Sequence, residues 1–256
     1  MILQDIINII ESVAPLSYQE SWDNSGLQVG DRNAEVHAAL LTVDVTESVV
    51  DEAIEKHCDL IISHHPLIFR GLKQITGSTT QERCIEKAIR HNIAIYSSHT
   101  SMDVYLHGVS GKIADKLDII NYHILCPTTD DNVGLGVIGE LKTPMKSDDF
   151  IHFVQNIFDC SLRFIKPCDE NITTVAICGG AGAEFITQAI AQGADIYITA
   201  DMKYHEMQAA CGQIGIIDLD HWTSEHFTRE IFQDLLQEHV PTYVSQTDQT
   251  PVKWFI

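Results

Sequence analysis

Several absences narrow what this chain can be. Its seven cysteines, at 58, 84, 126, 160, 168, 178 and 211, are odd in number and form no CxxC pair. Scattered, reduced thiols of a cytoplasmic protein are the simplest reading of that pattern. No apolar run approaches the ~20 residues of a membrane span. Basic charge is scarce: 16 Lys and Arg stand against 36 Asp and Glu, a net charge of -20. Such a balance argues against direct binding to nucleic acid, whose phosphates would be repelled. It also opposes the approach of any anionic substrate unless a local cation, such as a bound metal, offsets the field. There is no Gly-x-Ser-x-Gly elbow, no P-loop and no evident nucleophilic cysteine. No Pro-, Gly- or Ser-rich linker and no low-complexity segment interrupts the chain. The opening MILQDIINIIESVAP carries acids and no basic stretch, so an amphipathic helix is expected there and not a signal peptide.

What is present reads as a globule. A chain of 256 residues, 45% of them hydrophobic, buries roughly three quarters of the surface its unfolded form exposes. Short β-branched runs alternate with amphipathic stretches. Strands are expected at 38–46, LIIS (60–63) and 93–98, with helices at 48–57 and 79–92, the latter opened by a capping box of Thr79 and Glu82. The rhythm repeats with strands at 173–180, 195–201, 215–220 and 242–247, and helices at 183–193, 204–212 and, longest, 224–239. Between the halves lie 134–141, a helix at 147–158, and 162–166. Strand–helix–strand at this spacing implies right-handed crossovers and parallel pairing. The expected class is α/β, as two similar lobes with mostly parallel, mixed sheets.

Ligands of such sheets gather beyond the carboxyl ends of the strands, and here those ends deliver chemistry. Asp44 closes the first strand. LIIS is followed by His64 and His65, the third strand by His99 and then Asp103, DIYITA by Asp201 and then His205, and GIIDLD by His221 and then Glu225. Two adjacent imidazoles inside a strand would point to opposite faces; past its end that alternation lapses, and Pro66 restricts His65 to extended angles. Imidazole with carboxylate is the donor set of Zn, Fe, Mn, Co or Ni sites. His221 and Glu225, four apart on an incipient helix, can face one point, and Asp103 would balance a second cation. His99, Asp201 and His205 are candidates to shuttle protons or orient ligands. Each of the remaining histidines (37, 57, 91, 107, 123, 152, 226 and 239) reads as an ordinary surface or core residue. CGGAGAEF reads as a tight turn, with anion binding at a helix N-terminus as the alternative. SWDNSGLQVG (21–30) reads as a loop around a buried Trp22.

With those residues in view, ESWDNSGLQVGD, DLIISHHPLIF, YSSHTSMD, VAICGGAG, DIYITADMKYHEMQAA and DLDHWTSEH resemble the successive signature blocks of the NGG-interacting-factor-three-like family, the GTP cyclohydrolase I type 2 homologues. The blocks run in family order over roughly residues 20 to 230. The resemblance implies two intertwined α/β lobes, 1–125 plus 215–256 and 126–214, with the metals in the cleft between them and no inserted domain. It implies two divalent metal ions per chain on His64, His65, Asp103, His221 and Glu225, and a hexameric homo-oligomer. Asp220 departs from the Gly that often precedes the late histidine; an extra carboxylate there either alters ligand geometry or faces solvent. The expected function is metal-dependent hydrolysis of a nucleotide or related small molecule by activated water. The alternative is a non-catalytic, metal-binding regulatory or partner-binding module.

Overall fold

The computed structural model describes residues 1–130 and 133–253, with the backbone alone at 129 and 130. Residues 131–132 of the expected second lobe and 254–256 of the expected first lie outside the described residues. In chain order the elements are α1 (Leu3–Val13), β1 (Gly26–Val29), β2 (Ala39–Thr42), α2 (Glu47–Glu55), β3 (Leu60–Ser63), α3 (Thr80–Arg90), β4 (Ala94–Ser97), α4 (Thr100–Asp103), α5 (Val109–Lys116), β5 (Ile119–Asp130) and β6 (Val133–Lys146). They continue with α6 (Ser147–Phe158), β7 (Arg163–Ile165), β8 (Asn171–Ala181), α7 (Ile186–Ala191), β9 (Ile196–Ala200), α8 (Tyr204–Ala210), β10 (Gly215–Leu219), α9 (His221–Glu225), α10 (Thr228–Leu236) and β11 (Thr242–Val244). The fold is α/β with two mixed sheets. Among the described residues no helix is long and apolar enough to cross a membrane.

The chain divides into two compact units, Met1–Met102 with Thr228–Gln249 and Asp103–Phe227 with Thr250–Ile256. These limits differ from the expected 1–125 plus 215–256, because α5 and β10 belong to the second unit.

The first unit holds a five-stranded sheet, β1-β4-β3-β2-β11, parallel except for β1. Leu40, Ile61 and Ile95 face Val49, Val50 and Ala53 of α2 and Cys84, Ile85 and Ala88 of α3 in one buried cluster. On α1, Leu3, Ile6, Ile7 and Ile10 are wholly buried, as the 3–4 spacing of apolar residues requires of a helix packed along one face. Thr46 and Thr79 cap α2 and α3, each accepting from a backbone N–H three residues on. The expected capping box is half realised: the Glu82 carboxylate reaches past the cap to Thr76 and Ser78. The expected loop at 21–30 ends in strand β1, and Trp22 is exposed, not buried. The strand escapes a pattern reading because it is four residues long, beginning at Gly26 and followed by Gly30; at Gly30 a β-carbon would collide with Ala94.

The second unit holds a six-stranded sheet, β5-β6-β8-β9-β10-β7. Only β8–β9 and β9–β10 pair in parallel, so this sheet is more antiparallel than expected. The difference is the long β5–β6 hairpin, whose first strand is interrupted by register shifts near Ile120 and Pro127 and shows no clean alternation in sequence. The expected helix 224–239 is two helices. The chain breaks at His226 and Phe227, where the His226 ring stacks on Trp222 and its Nδ1 lies 2.6 Å from the Thr223 carbonyl.

One buried carboxylate fastens the returning C-terminal segment of the first unit. Glu52 of α2 accepts from Ser245 Oγ, the Gln246 and Thr247 amides and Thr247 Oγ1, at 2.7–3.1 Å. Burial alone would raise its pKa, but these donors outweigh it and hold the carboxyl below its ordinary value of 4.5. A lowered folded-state pKa contributes stability above the ordinary value and loses it as pH falls through the lowered one. Glu52→Gln should therefore cost about 1.5–3 kcal/mol at pH 7. In urea unfolding across pH 7 to 3, the gap to wild type should close only below pH ~4.5; a gap independent of pH would contradict this.

Candidate metal centre

Three parallel strands of the first sheet stop level with one another. Thr42 pairs with Ser63, and Ser63 with Ser97. The ladder continues one step further through His64 N to Thr42 O (3.2 Å), His65 N to Val43 O (2.9 Å) and Ser98 N to Ser63 O (3.0 Å). Asp44, His64, His65 and His99 therefore emerge along one edge. Ring centroids of the three histidines lie 5.0, 5.2 and 5.5 Å apart, and one ring nitrogen from each lies within 4.8 Å of the others. This group could hold a metal ion.

Each ring is fixed through Nδ1. His64 Nδ1 meets the Ser98 carbonyl at 3.0 Å, His65 Nδ1 meets Asp44 Oδ1 at 2.8 Å, and His99 Nδ1 meets Asp23 Oδ1 at 2.9 Å. A carbonyl or carboxylate only accepts, so Nδ1 carries the proton and a neutral ring keeps its lone pair on Nε2. Imidazoles that ligate metals are oriented in this way. Asp23 is the residue that the sequence reading missed. Its side chain is wholly buried and also accepts from Ser25 Oγ, Thr100 N and Thr100 Oγ1. Burial works to raise its pKa, yet His99 and these donors hold it well below the carboxylate range. Its one signal was its place in the SWDNSG block.

In the second unit β8, β9 and β10 likewise end together, with Leu219 paired to Ala200 and Ala200 to Ala181. Asp201 follows β9 in left-handed backbone, φ 58°, a conformation Asp tolerates better than most side chains. It accepts from His221 Nδ1 at 2.8 Å. On α9, one turn brings His221 Nε2 to 3.2 Å from Glu225 Oε2. Burial would lower the His221 pKa, but the Glu225 and Asp201 carboxylates outweigh it and raise the ring to about 9. Glu225 is buried. Gly180, at φ 67°, lies so close that a β-carbon there would overlap its carboxylate. The expected tight turn at CGGAG is instead the irregular end of β8, where the register shifts between Ile177 and Ala181 and Gly180 leaves room for the chain's own Glu225. Burial first, then Asp103 and more weakly Glu225, push the Cys178 thiol well up.

The sequence-derived residues therefore fall into two sets: His64, His65 and His99 in the first unit, and Asp103, Asp201, His221 and Glu225 in the second. His205 is not drawn in. It is exposed on α8, with Nδ1 3.4 Å from Gln208 and its ring against Tyr204. Asp220 caps α9, accepting from Thr223 N and Oγ1 at 3.2 Å. Asp220→Ala should cost about 1 kcal/mol in urea unfolding and Asp220→Asn close to nothing. An Asn variant as unstable as the Ala variant would contradict the capping role.

Neutral imidazoles fixed through Nδ1, together with carboxylates, fit a divalent first-row cation. The chain also resembles known proteins from end to end. The family model described as Duf34/NIF3 (NGG1p interacting factor 3) matches residues 1–251. A GTP cyclohydrolase 1 type 2 homolog of Clostridium acetobutylicum is 34% identical over 98% of each chain. NIF3-like protein 1 of Drosophila melanogaster is 32% identical over 98% of this chain and 88% of its own length. The crystal structure of a Bacillus cereus protein related to NIF3 superposes with a TM-score of 0.91 at 25% identity, covering 100% of this chain and 99% of that one. A match that runs from end to end in both sequence and fold leads to one conclusion: the chain belongs to the Duf34/NIF3 family.

Proposed function

We propose that this protein is a metal-dependent hydrolase acting on a nucleotide or related small molecule, with two divalent ions (Zn, Fe, Mn, Co or Ni) held by His64, His65, Asp103, His221 and Glu225. The observation that supports it most is the Nδ1 anchoring of His64, His65 and His221, because it turns each ring into an oriented donor. Relatives named GTP cyclohydrolase 1 type 2 homolog support the substrate class. Bound divalent ions would supply electrophilic polarisation and lower the pKa of water.

The chain's own groups do the rest. Asp44 and Asp201 fix the rings of His65 and His221, so that little reorganisation is needed when substrate arrives. Buried Glu225 sits against Gly180, where a β-carbon would overlap its carboxylate. Of the three residues expected to move protons, His99 is held by Asp23 and Asp201 by His221, and these two remain in the proposal. His205 is dropped from it. A homo-oligomer, the hexamer implied by the family, is part of the same proposal.

Purified protein supplemented in turn with each metal should convert at least one compound in a panel of nucleotides followed by mass spectrometry. Glu225→Gln should reduce that turnover by roughly 10²-fold or more while the far-UV spectrum is unchanged. A metal-loaded protein that consumes nothing, yet melts at lower temperature after chelation, would replace this reading with a non-catalytic metal-binding module.

A further inference from the structure

Two aromatic rings stand exposed beside the histidine cluster of the first unit. Trp22 is 58% exposed and Phe69 42%. Their centroids are 5.9 Å apart, and His99 lies 6.1 Å from the first and 6.4 Å from the second, nearly edge-on to both. The three rings thus form a triangle in which one member belongs to the candidate centre and two face outward.

The arrangement is built, not incidental. Trp22 sits in a turn whose neighbours are tied down: Asp23 is buried against His99 and Thr100, and Asn24 donates from its side chain to the Ile68 carbonyl at 2.5 Å. Gln28 joins the same two segments, donating to Asn24 O at 2.7 Å and accepting from Ile68 N at 3.1 Å. Trp22 and Phe69 each follow or precede a residue that is pinned, so both rings are presented by rigid backbone. Exposed aromatic pairs are costly on a soluble surface, and pre-organised ones mark recognition sites.

We propose that the substrate's planar heterocycle stacks on Trp22, with Phe69, inclined at 56° to it, closing against the heterocycle's edge, which would make the ligand a nucleobase-like ring placed beside His99. This rests on the reading of the histidine cluster as the reaction centre, and it assigns a substrate contact to side chains outside the ligand set. Flat π faces recognise any base through stacking, and they need no positive charge in a chain that has little. Only a planar heterocycle adds π stacking to the apolar contact that any ligand would make with these rings.

The test is binding, not turnover, so it stands apart from whether the protein is catalytic. Calorimetric titration of the full-length protein, as purified and after chelation, would use guanosine monophosphate and ribose 5-phosphate, which share the phosphate and differ in the ring. The nucleotide should bind and the sugar phosphate should not. Trp22→Ala should weaken binding at least about tenfold, Phe69→Ala should weaken it too, and Trp22→Phe, which keeps a ring, should lose less. Melting curves would confirm that each variant is folded. Equal affinity for both probes, or unchanged affinity in folded Trp22→Ala, would overturn the proposal. Loss of oligomeric mass in Trp22→Ala with nucleotide affinity intact would also overturn it, and would mark the patch as a contact between copies of the chain.

Discussion

A neutral imidazole has one proton and one lone pair on its ring nitrogens, and whichever nitrogen is anchored decides where the lone pair points. The organisation of both units follows from this constraint. In the first unit the level ends of β2, β3 and β4 bring the Ser98 carbonyl and the Asp44 carboxylate to the Nδ1 atoms of His64 and His65, and the turn before β1 brings Asp23 to that of His99. In the second, Asp201 anchors Nδ1 of His221 while Glu225, one turn away on α9, faces Nε2, so that both ring nitrogens meet carboxylates and the ring's pKa rises to about 9. The serines at the strand ends serve the same purpose: Ser63 and Ser97 hydroxyls, 2.8 Å apart, satisfy each other and the His65 carbonyl without bulk.

The strong negative charge of the chain fits this design. Carboxylates that orient histidines would repel one another and an anionic substrate in the absence of cations. The proposed divalent ions would relieve that cost at the histidine and carboxylate clusters. His221 illustrates the compensation within the chain, since two carboxylates raise it to about 9 and a proton takes up the charge between them.

Much of the fold and part of the site were legible in the sequence. β-branched runs such as LIIS and the apolar spacing of 48–57 and 79–92 translate directly into buried strands and one-sided helices, because burial periodicity is a local property. The adjacency of His64 and His65 and the four-residue spacing of His221 and Glu225 were readable for the same reason. Asp23 was not: it lies 76 residues from His99 in a stretch of turn formers, and only the register of β1 against β4 brings it there. The contact of Gly180 with Glu225 depends on a missing β-carbon in left-handed backbone, which no hydropathy pattern encodes. Strand β5 and the break between α9 and α10 were hidden because tertiary packing, not local periodicity, sets them.

Elemental analysis of the purified protein measures most directly whether anchored imidazoles hold metal. Wild-type chains should carry close to two equivalents of divalent metal after dialysis, and the His64→Ala, His65→Ala double variant, still folded, should lose at least half. Wild-type protein that stays near zero after incubation with Zn, Fe, Mn, Co and Ni, or a double variant that retains the full complement, would contradict the assignment.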